Sequence, residues 1–316
     1  FDYVMTKAAM VNAAGPSFKM LGYDQTAVKS TKPVIAVVAS RTGSGKSQTS
    51  RKVMEILNSL GKKVVAIRHP MPYGNLAQQK VQRFAQISDL KKHKCTIEEM
   101  EEYEPHVVRG NVIYSGNDYE AIIREAEKEA DIIIWDGGNN DLPFYKCDLI
   151  ITVVDPHRAG HELRYYPGLT NLLLSDIVVI NKIDLANPED VYKVRQNIER
   201  VNPKAVIIEG ASPISLENIK DESHIRNKKV LVIEDGPTLT HGEMKYGAGT
   251  IAAEKFGAAE IIDPRNYATG TLKDTYIKYP GIGNLLPAMG YGDKQIKDLE
   301  ATINKIPCDL MIIGTP

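Results

Sequence analysis

From Lys32 onward, short β-branched apolar runs recur along the chain, at residues 34–38, 64–67, 111–114, 131–135, 149–153, 177–180, 205–208, 230–233, 259–262 and 310–313. The runs are continuous rather than alternating, which is the pattern of strands buried on both faces. Between several of them lie helix-like segments, at 51–60, 117–130, 187–201, 244–256 and 293–306. Strand–helix alternation predicts an α/β fold with a doubly wound, mainly parallel sheet and flanking helices, and residues 31–316 read as one such core. Residues 70–110, rich in Gln, Lys and Glu, interrupt the rhythm and predict a helical insertion or lid. Residues 1–30 mix short apolar pieces with Gly, Pro, Ser and Lys, and read as a linker or the end of a missing N-terminal domain. The chain opens at Phe1 and stops at Pro316 just after an apolar run, so an excerpt from a longer, C-terminally incomplete core is expected.

Composition narrows the class only modestly. The 316 residues are 43% hydrophobic and 25% charged, enough for a substantial core. Lys and Arg total 39 against 40 Asp and Glu, a balance that gives no reason to expect nucleic acid or an anionic membrane as partner. No apolar stretch is long enough to span a bilayer and no signal peptide is visible. Cys95, Cys147 and Cys308 are widely separated, which argues against a disulfide framework or a zinc site and for a reducing cytoplasm. A homodimer is an assembly the sequence permits.

The most informative segment is Ser40-Arg-Thr-Gly-Ser-Gly-Lys-Ser47, which lies between an apolar run and a helix-like stretch. A strand, a glycine-bearing loop with Gly-Lys-Ser and then a helix is the context of a phosphate-binding P-loop. Backbone N–H groups freed by Gly43 and Gly45 can wrap a phosphate at the helix N-terminus, Lys46 can reach the β- and γ-phosphates, and Ser47 can hold Mg²⁺. Thr42, Ser44 and Gln48 complete the candidate nucleotide-binding run, while Ser40 stands where the first glycine of the pattern is expected. The apolar run ending in Trp135-Asp136-Gly-Gly predicts a carboxylate at the carboxyl edge of the sheet, placed to orient Mg²⁺ directly or through water. Asn139 and Asn140, with Asp141, are candidates to orient a reacting group.

Asn181-Lys182-Ile-Asp184 follows a further buried run and matches the pattern with which GTP-binding proteins read guanine; a strand-to-helix turn capped by Asp184 would look the same. Other strand ends carry cations: Arg68 and His69, His157 and Arg158, Arg265, and Arg41 within the P-loop itself. Several arginine forks converging on one sheet edge would suit a second, polyanionic ligand, although each alone reads as a surface ion-pair partner. The hydroxyl- and glycine-rich stretch from Glu234 to Gly249, with Lys245, is a plausible further anion cradle or simply a long turn.

Five runs together carry a likeness to a known family. Ile67-Arg-His-Pro-Met-Pro-Tyr-Gly74, Trp135-Asp-Gly-Gly-Asn-Asn-Asp141, Val154-Asp-Pro-His-Arg158, Glu234-Asp-Gly-Pro-Thr-Leu-Thr-His241 and Pro287-Ala-Met-Gly-Tyr-Gly292 resemble cyclic 2,3-diphosphoglycerate synthetase, whose relatives are often described only as predicted GTPases. The resemblance implies a P-loop NTPase-like fold and an ATP-dependent ligase that joins the two phosphates of 2,3-diphosphoglycerate in an intramolecular anhydride, releasing ADP and phosphate. It implies ATP, with GTP as the base alternative raised by Asn181–Asp184, and Mg²⁺ as cofactors. Lys46, Asp136 and Arg158 are then the catalytic candidates, and Arg41, Arg68, His69, Asn139, Asn140, His157, Arg158, Lys245 and Arg265 the substrate-binding ones. A regulatory or metallochaperone GTPase is the competing reading. Lys46→Ala and Asp136→Ala are expected to abolish turnover while leaving folding intact.

Overall fold

The computed structural model describes residues 2–69, 71, 75–138, 141–217, 221–240, 244–289 and 292–315. Eight strands build the larger sheet: β1 (Val34–Ala39), β2 (Val64–Arg68), β3 (Gln82–Phe84), β4 (Val112–Ser115), β5 (Ile132–Asp136), β6 (Leu149–Val154), β7 (Ile177–Ile180) and β8 (Val206–Glu209). Their spatial order is β3-β4-β2-β5-β1-β6-β7-β8. All neighbours are parallel except β3 with β4. Apolar residues on both faces of β1, β2 and β5 demand cover on both sides, and the crossover helices supply it. Met54 of helix Lys46–Ser59 packs into the cluster of Val37, Ala66 and Ile134, while Ile122 and Ile123 of helix Tyr119–Ala126 pack with Val38, Ile67 and Trp135. Trp135, Tyr103, Tyr145 and Phe84 are the largest fully buried side chains, each contributing about 2–3 kcal/mol of burial free energy.

The strands from 229 onward do not continue this sheet. β9 (Lys229–Asp235) is the hub of a second, four-stranded sheet, pairing in parallel with β10 (Glu260–Ile261), β11 (Leu286–Ala288) and β12 (Leu310–Gly314). A two-sided apolar strand shows that it is buried, not which sheet buries it. Pro287 inside β11 hid that strand from the pattern, because proline is a poor ladder residue.

Two further expectations are revised. Residues 70–110 are not purely helical: β3 lies antiparallel to β4, ahead of helices Ile87–Lys92 and Ile97–Val107. The second helix is started by a capping box in which Thr96 Oγ1 accepts from Glu99 N at 3.3 Å and Glu99 accepts from Thr96 N at 2.7 Å. Within the stretch read as a linker, residues Asp2–Ala13 form a helix with only Ala8 buried, in keeping with its content of strong helix formers. No helix among the described residues is long and apolar enough to cross a membrane.

Candidate functional site

β1 sits at the switch point of the larger sheet, with β5 on one side and β6 on the other, so the loops leaving β1, β2, β5, β6 and β7 converge on one carboxyl edge. Ser40 N donates to Val153 O at 3.1 Å, so the serine at the first glycine position prolongs the pairing of β1 with β6. Gly43 and Gly45 then adopt φ values of 77° and 100°. A Cβ at Gly45 would lie 2.1 Å from Asn181 Nδ2, and one at Gly43 would lie 2.8 Å from Thr238 Cγ2. The loop is thus a cradle that side chains would fill. Helix Lys46–Ser59 begins at its end, with the N–H groups of its first turn lacking intrahelical acceptors. This geometry fits a phosphate group. Thr238 belongs to the short helix Gly236–Thr240 that follows β9, so the smaller sheet presents its carboxyl end to the P-loop.

Lys46 Nζ bonds Asp136 Oδ1 at 2.6 Å, with Asp136 fully buried. Ser50 Oγ donates to the same oxygen at 2.6 Å, and His106 Nε2 lies 3.4 Å from Oδ2. Burial alone would push the Asp136 carboxyl upward, but Lys46, His106 and Arg68 hold it well below the usual carboxylate range. Burial, with Arg68 alongside, lowers the Lys46 pKa, and its contact with Asp136 works against that fall. Arg68 is itself buried. Its Nη1 donates to Asp136 O at 3.0 Å and Gly137 O at 2.7 Å, and its Nη2 to Glu102 Oε1 at 2.7 Å. Arg68 therefore braces the turn after β5.

A second constellation surrounds Asp155 at the end of β6. This carboxylate, 4% exposed, accepts from His157 N at 3.1 Å, Arg158 Nη2 at 3.0 Å and Lys182 Nζ at 3.1 Å, with His157 Nδ1 at 3.0 Å. Burial raises its pKa, and the His157 contact and the Lys182 and Arg158 charges overcome that and lower it. Lys182 adopts φ 59°, uncommon for a side-chain-bearing residue, and its ammonium also reaches Gly43 O at 2.6 Å. Asn181 Nδ2 donates to Ser44 O at 2.9 Å, so two residues of the Asn-Lys-x-Asp run brace the P-loop. Asp184 is exposed and accepts from Ser212 N at 2.8 Å, while Ser212 Oγ reaches Gln48 at 3.2 Å.

Residues 107–211 match the P-loop domain of cyclic 2,3-diphosphoglycerate synthetase. Cyclic 2,3-diphosphoglycerate synthetase of Thermococcus sibiricus is 32% identical over 117 residues, which span 36% of this chain and 26% of that protein. Arginine synthetase ArcE of Thermococcus kodakarensis is 62% identical over 315 residues, covering 100% of this chain and 70% of that protein. The chain belongs to the family of this arginine synthetase and carries a P-loop domain of the cyclic 2,3-diphosphoglycerate synthetase type. It is an enzyme of the synthetase type, built on a nucleotide-binding P-loop. Among solved structures, LpxK from Aquifex aeolicus in complex with ATP aligns over 82% of this chain and 76% of its own, at 13% identity and a TM-score of 0.46.

The structure brings Lys46, Asp136, Arg68, Arg158, Asn181 and Lys182 together around the P-loop. His69 lies beside them, its Nδ1 3.5 Å from Asp141 Oδ2. Arg41 stacks on Tyr165, 4.1 Å from the ring centroid. Arg265 is engaged within the smaller sheet, by Asp263 at 2.9 Å and by Ile282 O. Lys245 is exposed, and the anion cradle expected around it is filled from within. Glu234 accepts from Gly247 N at 3.1 Å and Thr250 N at 2.8 Å, so the protein's own carboxylate occupies that helix N-terminus. Asn139 and Asn140 lie outside the described residues. Ser50, Glu102, His106 and Asp155 are site residues beyond those the sequence predicts. Ser50 sits one turn beyond Lys46, a spacing that could have flagged it; the others needed the fold.

Proposed function

We propose that this protein is an ATP-dependent synthetase that forms arginine from its ureido analogue, citrulline, and ammonia. The observation that carries the reading is the 62% identity to an arginine synthetase along the whole of this chain. Converting a ureido carbon to a guanidinium requires oxygen to leave, and phosphorylation makes it a leaving group. The ureido oxygen attacks the γ-phosphorus of ATP as the bond to ADP breaks. Ammonia then adds to the carbon and gives up a proton, and the C–O bond breaks to release phosphate. Citrulline, ATP and ammonia thus yield arginine, ADP and phosphate in equal amounts.

In this chain the P-loop amides and Lys46 hold the β- and γ-phosphates and neutralise charge as the phosphoryl group moves. Ser47 fits as a direct ligand of Mg²⁺, with Asp136 acting through water because both its oxygens already face donors. When bound, Mg²⁺ would screen the triphosphate. Among the described residues no group of three or more His, Cys, Asp or Glu side chains is placed to hold a metal.

Formation of cyclic 2,3-diphosphoglycerate is the second reading, favoured by the match of residues 107–211. Both reactions begin with an oxygen of the acceptor attacking the γ-phosphorus. The test incubates the protein with ATP or GTP and either citrulline plus ammonium or 2,3-diphosphoglycerate, with products followed by mass spectrometry and phosphorus NMR. Equimolar arginine, ADP and phosphate are expected. A cyclic diphosphate without arginine would transfer the assignment to the second reading, and slow GTP hydrolysis with neither product would point to a regulatory GTPase.

A further inference from the structure

Beside the carboxyl ends of β2 and β5, several buried polar atoms have no hydrogen-bond partner. Asp141 Oδ1 accepts from Gly138 N at 2.8 Å, but its Oδ2 is buried and unpartnered. His69 Nδ1, 3.5 Å from that Oδ2, lacks hydrogen-bond geometry and is also unpartnered. Asn171, fully buried, donates through Nδ2 to Asp141 O at 3.0 Å and leaves its Oδ1 unpartnered, as Arg68 leaves Nε. Such atoms are rare in folded proteins because each is costly, so four in one neighbourhood mark a place where something else bonds.

Asp141 also lines a cavity of about 370 Å³ whose walls include Thr26, Tyr119, Phe144 and Tyr166. Tyr119 and Phe144 pack against each other with ring centroids 4.3 Å apart. The volume lies within the range of small-molecule sites. Among the described residues no lysine, arginine or histidine lines it and the one ionisable acid is Asp141, a lining that disfavours a phosphate. Aromatic walls with one carboxylate suit a planar group rich in N–H donors, whether neutral or cationic.

We propose that this cavity binds an amino acid through its ureido or guanidino end, set against the Asp141 wall. The inference rests on the arginine-forming reading and locates its acceptor substrate. His69 is pushed down to about 3 by burial and by the Arg68 and Lys46 charges, so it is neutral beside Asp141, whose own carboxyl is raised by burial against the pull of Arg68. Arg68, bonded to Gly137 O and Asp136 O, ties the backbone leaving β5 to the Lys46–Asp136 pair.

The test is calorimetric titration of the full chain with arginine, with citrulline and separately with ATP, for the wild type, Asp141→Asn and Tyr166→Ala. Tyr166 is 63% exposed, so its truncation leaves folding intact. Asp141→Asn should weaken arginine binding at least tenfold and Tyr166→Ala at least threefold, with ATP affinity within twofold of wild type. A wild type that forms arginine, together with variants that bind both amino acids normally, would overturn the cavity assignment and leave the reaction standing. A wild type that binds neither amino acid and forms no arginine would overturn the reaction, and the cavity assignment with it.

Discussion

In Asp136→Ala, two donors lose a common acceptor at once: Lys46 Nζ and Ser50 Oγ, each 2.6 Å from Oδ1. The Lys46 side chain is only 10% exposed and cannot recover its solvation without moving. Removing one partner of a buried ion pair costs about 3–5 kcal/mol, and an orphaned buried hydroxyl about 1–3 kcal/mol. Because both donors share one oxygen the losses overlap, and a total of about 4 kcal/mol is expected. That is a large part of the ~5–15 kcal/mol that holds a domain together, so the expectation that this substitution spares folding is revised. Lys46→Met combined with Asp136→Leu removes both charges and should recover much of the loss. The assay is urea unfolding followed by circular dichroism, with the m-value checked for constancy. The depressed Asp136 pKa sets the pH sign. Its stabilisation is complete above the unfolded carboxyl value of 3.8 and is lost as pH falls below it. A loss under about 1 kcal/mol for Asp136→Ala, or strict additivity in the double variant, would refute the pairing argument.

Three further outcomes follow from the geometry. Lys46→Met should lower turnover by about 10²–10³ or more; near-normal turnover would remove Lys46 from catalysis. Gly45→Ala places a Cβ 2.1 Å from Asn181 Nδ2 at φ 100°. It should cost about 1–3 kcal/mol and weaken nucleotide binding, and unchanged affinity in a nucleotide titration would mean that the loop is no cradle. His69, lowered from 6.5 to about 3, takes up a proton in the unfolded chain before the folded one, so stability falls as pH drops from 6.5 towards 3. Between pH 7 and 5 this amounts to about 2 kcal/mol, and His69→Asn should abolish that part of the slope in unfolding measured at both pH values; an unchanged slope would place its origin elsewhere.

By itself, the sequence determined whatever is written locally. Continuous apolar runs marked ten of the twelve strands among the described residues, because burial on both faces leaves no polar positions to interrupt them. The P-loop was legible because glycines, lysine and serine act from one contiguous segment, and five long loops carried the family likeness. Tertiary structure decided which groups meet. Lys46 and Asp136 are 90 residues apart, and Arg68 and Glu102 are 34 apart. His157 and Arg158 read as ligands for a polyanion and Lys182 as part of a base-reading run, and in the fold all three turn to Asp155, because a carboxylate 4% exposed needs donors close by. Glu234 likewise fills the helix N-terminus that looked open to a ligand. The break between two sheets and the unpaired atoms around Asp141 left no local trace, since both depend on which surfaces are brought into contact.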